Sequence, residues 1–166
     1  MKRILSIFFA VLCVSAAAQD YHFPRFTPGK FKKEVRAAAQ IWNDTSGNIH
    51  FRETRRDGIP VIFDKRGYKI PSQYLLGWYD GKQIIINGLY FKRRPHPLGR
   101  FSMRAILLHE FGHAGGLRHN QRRTSIMFPI IYPSTKPELD ENDKLAPLNV
   151  QSVNPEHPKR PFPPSL

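Results

Sequence analysis

Cysteine is nearly absent from this sequence. Cys13 is the only one among 166 residues, and it lies in an apolar stretch close to the N-terminus. If that stretch is removed, the mature protein contains no thiol, which excludes disulfide bonds and cysteine ligands for a metal. Secretion permits disulfides without requiring them, so we expect the hydrophobic core and any bound metal to hold the fold.

Long hydrophobic runs are also lacking. The apolar run from Ile4 to Val14 is shorter than the roughly 18 residues that span a bilayer. Two basic residues precede it and small residues end it at Ala18, as in a secretory signal peptide. We therefore expect residues 1–18 to be a cleaved signal peptide and the mature protein to be secreted, extracellular or periplasmic. A short membrane anchor is the alternative.

Acidic residues are few compared with basic ones. The chain has 13 Asp and Glu against 26 Lys and Arg, a net charge of +13, and loss of Lys2 and Arg3 with the leader leaves about +11. This surplus favours an anionic surface or envelope component as a partner. The cations occur as scattered pairs without a basic helix or an RNA-binding aromatic signature, so we expect no specific nucleic-acid binding.

The periodicity of the remaining chain predicts one α+β domain over residues 19–146, followed by a proline-rich tail over 147–166. Thr27 followed by Pro28 predicts a capped helix from Pro28 to Asn43. Four short apolar runs predict strands, namely Ile49–Thr54, Ile59–Asp64, Tyr74–Tyr79 and Gln83–Asn87. Asp80-Gly81 predicts a two-residue hairpin between the last two of these strands.

The second half of the domain alternates irregular segments with helices. Leu89–Gly99 is basic and contains proline, which predicts a loop. A helical pattern runs from Phe101 to Ala114, and the chain from Gly116 to Pro137 has no regular periodicity. Acids near its start and a proline after its end predict a short third helix over Leu139–Ala146.

Three histidines and a glutamate in the second helix and just beyond it predict a metal site. The segment from His109 to His119 matches H-E-x-x-H-x-x-G-x-x-H at every specified position. Residues i and i+4 share a helix face, so His109 and His113 can reach one ion, and Gly116 permits a backbone reversal that brings His119 to it. Three neutral imidazoles with an open fourth position are typical of catalytic zinc.

Glu110 adjoins the first of these ligands and is the predicted general base. A carboxylate in reach of a metal-activated water can take its proton and pass it to the leaving amine, which is peptide hydrolysis without a covalent intermediate. A single helical histidine is usually structural, but five specified residues coincide by chance only about once in several million positions. The other histidines, His22, His50, His96 and His157, are isolated and are expected to be ordinary residues.

The zinc motif is followed by Ser125-Ile126-Met127-Phe128-Pro129. An extended zinc motif with a later Met-turn resembles the metzincin clan of zinc proteases, and Ile-Met-Phe-Pro is most similar to its matrixin branch. The resemblance implies that Met127 forms a hydrophobic floor under the three histidines. Without the resemblance, Met127 would be interpreted as a core residue. More loosely, the resemblance extends over residues 26–145.

The resemblance also implies a fold and a substrate site. The implied fold is a twisted, mostly parallel sheet with one antiparallel edge strand, plus an active-site helix and a Met-turn. An extended polypeptide substrate would lie beside the edge strand, at Leu76 and Gly77. The segment from Phe128 to Tyr132, including Pro129, would border the pocket for the side chain after the cleaved bond. Ile130 and Ile131 both precede Tyr132, whereas the family pattern has one intervening residue.

The sequence departs from animal matrixins in its metal ligands. No histidine lies between Ile59 and Asn87, so no structural zinc is expected in addition to the catalytic ion. Calcium is compatible with the resemblance but no residue pattern supports it. We expect a monomeric zinc metalloendopeptidase. The alternative is a secreted basic binding protein that keeps the fold without useful activity.

Overall fold

The structure is a computed structural model and describes residues 18–72, 74–91 and 100–145. The apolar leader with Cys13, most of the predicted loop over 89–99 and the proline-rich tail over 147–166 lie outside the described residues. The prediction of a signal peptide over 1–18 and of the domain limits therefore stays a prediction.

In the described residues five strands form one sheet, and this confirms the predicted α+β fold. They are β1 (Gln19–His22), β2 (Phe51–Glu53), β3 (Ile59–Asp64), β4 (Gly77–Tyr79) and β5 (Ile84–Asn87). Their order in the sheet is β2-β1-β3-β5-β4, and every pairing is parallel except that of β4 with β5. All four residues of β5 are buried, as expected for a strand covered on both faces. The antiparallel strand β4 forms one edge.

Strand β1 was missed by the sequence analysis. It lies between β2 and β3, so the two predicted strands that follow the first helix share a sheet without being neighbours. Only Tyr21 of its four residues is buried, and a short polar segment with one apolar residue gives no period-two signal. Its pairing with two parallel neighbours determines that it is a strand.

The predicted strands β2, β4 and β5 are shorter than expected, whereas β3 has its predicted limits. The predicted hairpin between β4 and β5 is present, but its two-residue turn at Asp80-Gly81 is wrong, because Tyr79 pairs with Ile84 and four residues connect the strands. The Asp80 side chain explains the longer turn, since its carboxylate accepts hydrogen bonds from the backbone N–H groups of Lys82 and Gln83 at 2.9 and 2.8 Å.

The α-helices within the described ranges are α1 (Gly29–Thr45), α2 (Met103–Ala114) and α3 (Glu141–Leu145). The predicted cap of α1 is wrong: Pro28 is the N-cap residue, and the Thr27 hydroxyl donates to the Pro24 carbonyl at 2.6 Å. The predicted loop from Leu89 is also wrong at its beginning, since Gly88–Phe91 is a 3-10 helix. No helix in the described part of the chain has the length and apolar character needed to cross a bilayer.

Helices α1 and α2 pack against each other, and both contact the sheet. The Trp42 indole of α1 donates to the Leu108 carbonyl of α2 at 3.0 Å in a buried setting. Phe111 of α2 contacts Phe51 and Tyr21 of the sheet, with ring centroids 4.5 and 5.5 Å apart. Because neighbours on both sides fix α2, the side chains in its second half are held in defined positions.

Candidate active site

Helix α2 begins and ends at defined points. The Ser102 hydroxyl accepts a hydrogen bond from the Ala105 N–H and caps the N-terminus. At the other end Gly116 has φ +90°, a left-handed conformation that favours glycine, and the Leu117 N–H bonds back to the Gly112 carbonyl at 2.9 Å. The chain reverses there, and this reversal returns His119 toward the helix.

The three motif histidines lie together. The Nε2 atoms of His109, His113 and His119 are each 3.1 Å from the other two. The Nδ1 atoms of the first two face backbone carbonyls, at 2.7 Å from Ile126 and 2.9 Å from Leu117. A carbonyl oxygen can only accept, so Nδ1 carries the proton on both rings and Nε2 presents a lone pair to the shared centre.

This arrangement fits a metal ion. Nitrogen ligands about 2.0–2.1 Å from a tetrahedral zinc ion are separated by about 3.3 Å, close to the observed 3.1 Å. Imidazole lone pairs directed at one point repel each other unless a cation lies between them. The carbonyls that hold Nδ1 also fix the ring orientation, which is the usual supporting contact of a histidine ligand. The triad is therefore positioned to bind a metal.

The turn that follows the motif packs under helix α2. Ser125 to Phe128 forms a turn in which the Phe128 N–H donates to the Ser125 carbonyl at 3.1 Å. Met127 is buried, and a Cβ added at Gly112 would lie 2.3 Å from its sulfur. The lack of a side chain at Gly112 thus leaves room for Met127 against α2, one residue before His113. The sequence motif leaves this residue unspecified, so sequence reasoning missed its role.

Asp143 of helix α3 is a second residue that sequence reasoning missed. Its carboxylate accepts hydrogen bonds from the Ser125 hydroxyl and from the Ile126 N–H, the latter at 2.9 Å. Ile126 is also the residue whose carbonyl faces His109 Nδ1, so Asp143 supports that histidine through the backbone of one residue. Burial raises the pKa of Asp143, against the hydrogen bonds that lower it. In the sequence, an acid in the first turn of a predicted helix indicates capping of that helix, so the pattern did not predict the contact of Asp143 with the turn.

Glu110 lies on the side of α2 that faces the edge strand. It is 4% exposed, its Oε2 atom has no hydrogen-bond partner among the described residues, and the Tyr79 N–H donates to the carboxylate. Burial raises the pKa of Glu110 to about 8, with the Tyr79 N–H acting in the opposite direction. A cation beside the carboxylate would favour its ionised form.

The predicted substrate residues fall on two segments. Gly77 begins β4 and is buried against Glu110, and Leu76 precedes it with its carbonyl accepting from the Asn87 N–H at 2.9 Å. Pro129 and Tyr132 follow the Met-turn, where the half-exposed Tyr132 ring stacks on Phe128 with centroids 6.4 Å apart. The structure brings Gly77 against the predicted base, and it places Pro129 and Tyr132 just after Met127.

A family model described as Matrixin matches residues 77–147. This chain carries a matrixin-like metalloprotease domain. The matched part includes the edge strand, the histidines, Glu110, the Met-turn and helix α3. The match supports a metallopeptidase at the level of the family, and His109, His113 and His119 are positioned to bind a metal ion.

Elements that precede the match pack on the matched part. Strands β1 to β3 belong to the same sheet as β4 and β5, and α1 packs along α2. No curated protein matches the chain.

Proposed function

We propose that this protein is a secreted zinc-dependent endopeptidase that hydrolyses peptide bonds with Glu110 as the general base. The single observation that carries the proposal is the set of three Nε2 atoms 3.1 Å apart, on the same helix and turn as the buried carboxylate. Three histidines with room for a fourth ligand are characteristic of catalytic zinc, whereas structural sites are closed by four protein ligands.

The protein's own residues divide the work between holding the ion and moving a proton. His109, His113 and His119 would hold the zinc ion, and Asp143 and Met127 support the ligands from below. Zinc bound there supplies Lewis-acid polarisation of the scissile carbonyl and acidifies water. The Glu110 carboxylate takes the proton from the attacking water and delivers it to the nitrogen of the leaving amine.

The edge strand supplies a template for an extended substrate. The backbone of Leu76 is hydrogen-bonded to Asn87, and the backbone of Asp80 is hydrogen-bonded to Gln83. Successive residues of an antiparallel strand direct their backbone groups to opposite sides, so those of Gly77 and Tyr79 face away from β5. The Tyr79 N–H is directed at Glu110. The remaining backbone groups of these two residues can pair with a substrate strand, which would place its peptide bonds beside the base.

The burial of Glu110 argues against a binding protein without activity. A buried carboxylate with an unpartnered oxygen costs stability, because the charged form loses its hydration. In a domain that only binds, nothing would offset this loss of stability, and a neutral residue of similar size would fit the same site. Catalysis accounts for the carboxylate, since proton transfer needs it at this position.

The proposal is tested by incubating the purified protein with an unstructured protein such as casein and measuring its zinc content in parallel. We expect cleavage that a chelator abolishes and zinc addition restores, with about one zinc per chain. A His113→Ala variant serves as the control that should lose both zinc and cleavage. Bound zinc without cleavage of any peptide in a library would favour the binding alternative, and absence of zinc from the purified and zinc-supplemented protein would refute the site.

A further inference from the structure

The end of the molecule where the parallel strands finish carries two strongly exposed aromatic side chains. Phe26 follows β1 and is 87% exposed, and Tyr68 follows β3 and is 80% exposed. They are the two most exposed large hydrophobic residues in the described part of the chain. Because β1 and β3 are parallel neighbours, the segments that leave their carboxyl ends emerge at the same end of the sheet.

Local hydrogen bonds hold both aromatic residues outward. The turn around Phe26 is closed by the Thr27 N–H and hydroxyl, which both donate to the Pro24 carbonyl at 3.3 and 2.6 Å. Phe26 itself has φ +66°, an uncommon conformation for a bulky residue that favours glycine or asparagine. A non-glycine residue held in that region, with its ring in water, is an outlier that calls for a function.

The loop around Tyr68 is equally well fixed. The buried Asp64 carboxylate accepts from the Arg66 N–H at 3.1 Å and from the Lys69 N–H at 2.6 Å. Gly67 has φ +71° and packs so tightly on Leu89 that a Cβ would lie 2.7 Å from the leucine side chain. The loop therefore presents Tyr68 from a defined backbone.

The same end is basic. Its exposed cations, none of which forms an ion pair with another described residue, are Arg25, Lys30, Lys33, Lys65, Arg66 and Lys69. The two nearby acids are engaged: Glu34 pairs with Arg104 at 3.0 Å, and Asp64 bonds to the loop backbone. The Arg25 guanidinium lies 5.0 Å from the centre of the Phe26 ring.

Direct contacts show that these segments adjoin. The Phe31 ring at the start of α1 lies 5.1 Å from that of Phe63 at the end of β3. A groove of about 780 Å³ runs between them, with Lys30, Lys33 and Phe91 among its lining residues. The start of α1 and the end of β3 therefore lie side by side, and we call this end of the molecule, with Phe26, Tyr68 and the six cations, the basic-aromatic end.

We propose that the basic-aromatic end docks the protein on anionic lipid bilayers, with Phe26 and Tyr68 inserted among the headgroups. The cations alone would suit any polyanion, but exposed rings next to basic side chains gain by leaving water for the interface. Helix α2 starts at this end, where Arg104 meets Glu34, and carries His109 and His113 in its second half. Docking would therefore leave the histidines directed away from the bilayer.

The test is co-sedimentation of the purified full chain with vesicles of phosphatidylcholine, with and without phosphatidylglycerol. We expect binding only with phosphatidylglycerol. Phe26→Asn combined with Tyr68→Ser should weaken it by roughly tenfold or more, because each ring buries apolar area at the interface. Asparagine tolerates the left-handed conformation at residue 26, so the variant is expected to fold.

Charge variants distinguish docking through the basic-aromatic end from attraction of the whole basic protein to an anionic surface. Lys65→Gln combined with Lys69→Gln should weaken vesicle binding about fivefold for each cation. Arg122→Gln combined with Arg123→Gln, which removes the same charge from an exposed turn near the Met-turn, should weaken it much less. A Phe26→Trp variant should show a blue-shifted emission on vesicles that contain phosphatidylglycerol.

Two results would overturn the proposal. One is no binding to either kind of vesicle. The other is vesicle binding that depends on charge but is unchanged in the Phe26→Asn and Tyr68→Ser double variant. The rings would then not insert among the headgroups, and the natural partner of this end would be a soluble polyanion such as an acidic polypeptide. Far-UV circular dichroism and thermal unfolding of each variant verify that the fold persists.

Discussion

The Glu110 carboxylate lies against the backbone of Gly77, so closely that a Cβ at residue 77 would approach its Oε1 atom to 2.7 Å and its Cγ atom to 2.9 Å. The same Cβ would lie 2.8 Å from Ile106. The proposed base and the edge strand thus depend on each other for position, because the absence of a side chain at residue 77 leaves the space that the carboxylate occupies.

Replacing Gly77 by alanine should displace Glu110 without removing it. We expect a loss of cleavage of about a hundredfold, since small misplacements of a catalytic group have effects of this size. Zinc content should remain that of the wild type, because the histidines are not touched. The measurements are casein hydrolysis and bound zinc.

Gly47→Ala is the matched control for this variant. An added Cβ at Gly47 meets nothing within 4 Å, so the substitution should leave both measurements unchanged. If Gly77→Ala cleaved casein at the wild-type rate, the positioning of Glu110 by the edge strand would be wrong.

The contact between Gly112 and Met127 predicts an overpacking defect. Gly112→Ala would set a methyl group 2.3 Å from the Met127 sulfur, and overpacking of a core costs about 1–3 kcal/mol. We expect a matching fall in the free energy of unfolding, measured in urea. Adding Met127→Ala removes the clash, so the double variant should lose less stability than the sum of the two single variants. Additive losses would show that the two side chains do not meet.

Asp143 should affect metal binding although it lies on another helix. Asp143→Ala removes the acceptor for the Ile126 N–H and the Ser125 hydroxyl, and so loosens the turn whose carbonyl orients His109. Loss of such a supporting contact typically weakens metal affinity by about 10–100-fold. Zinc competition with a coloured chelator measures this. The exposed Glu138 provides a control substitution, and unchanged affinity in Asp143→Ala would limit Asp143 to a role in folding.

The pairing of Arg36 with Glu53 predicts a small, pH-dependent contribution to stability. Two hydrogen bonds at 2.7 and 2.8 Å join helix α1 to strand β2, and the Arg36 hydrogen bond lowers the pKa of Glu53 below 4.5. A lowered carboxyl pKa stabilises the folded state above the unfolded value and loses that effect as the pH falls through the folded value. Glu53→Gln should lower the free energy of unfolding by up to about 1 kcal/mol near pH 7.

The difference between wild type and Glu53→Gln should shrink as the pH falls below 4.5 and through the lowered pKa of Glu53, because the glutamate then becomes protonated. Urea unfolding of both proteins at several pH values measures it. A difference that stays constant with pH would show that the pair contributes no electrostatic stability.

The sequence predicted the secondary-structure elements whose own residues have strong propensities or patterns. The limits of β3 were predicted correctly because its run of β-branched and aromatic residues is bounded by turn residues. Helix α2 was predicted because the zinc motif and an apolar stripe coincide there. Strand β1 was missed, since its pairing with β2 and β3 decides its conformation and its own residues do not.

The contacts that position the site could not be derived in the same way. The motif defines which residues hold a metal but not what packs against them. Gly77 against Glu110, Gly112 against Met127, and Asp143 on Ile126 all join residues that lie far apart in the chain. The Thr27 cap failed for a related reason, because the tight turn at Phe26 directs the hydroxyl to Pro24 rather than to α1.

The most direct test of the proposed function compares the wild type with Glu110→Gln for bound zinc and for casein hydrolysis. We expect the variant to bind about one zinc per chain, as the wild type does, and to lose cleavage by about 10²–10⁴-fold, because glutamine cannot accept the proton. Full hydrolysis by Glu110→Gln would contradict the assignment of the base, and loss of zinc from the variant would contradict the separation of metal binding from proton transfer.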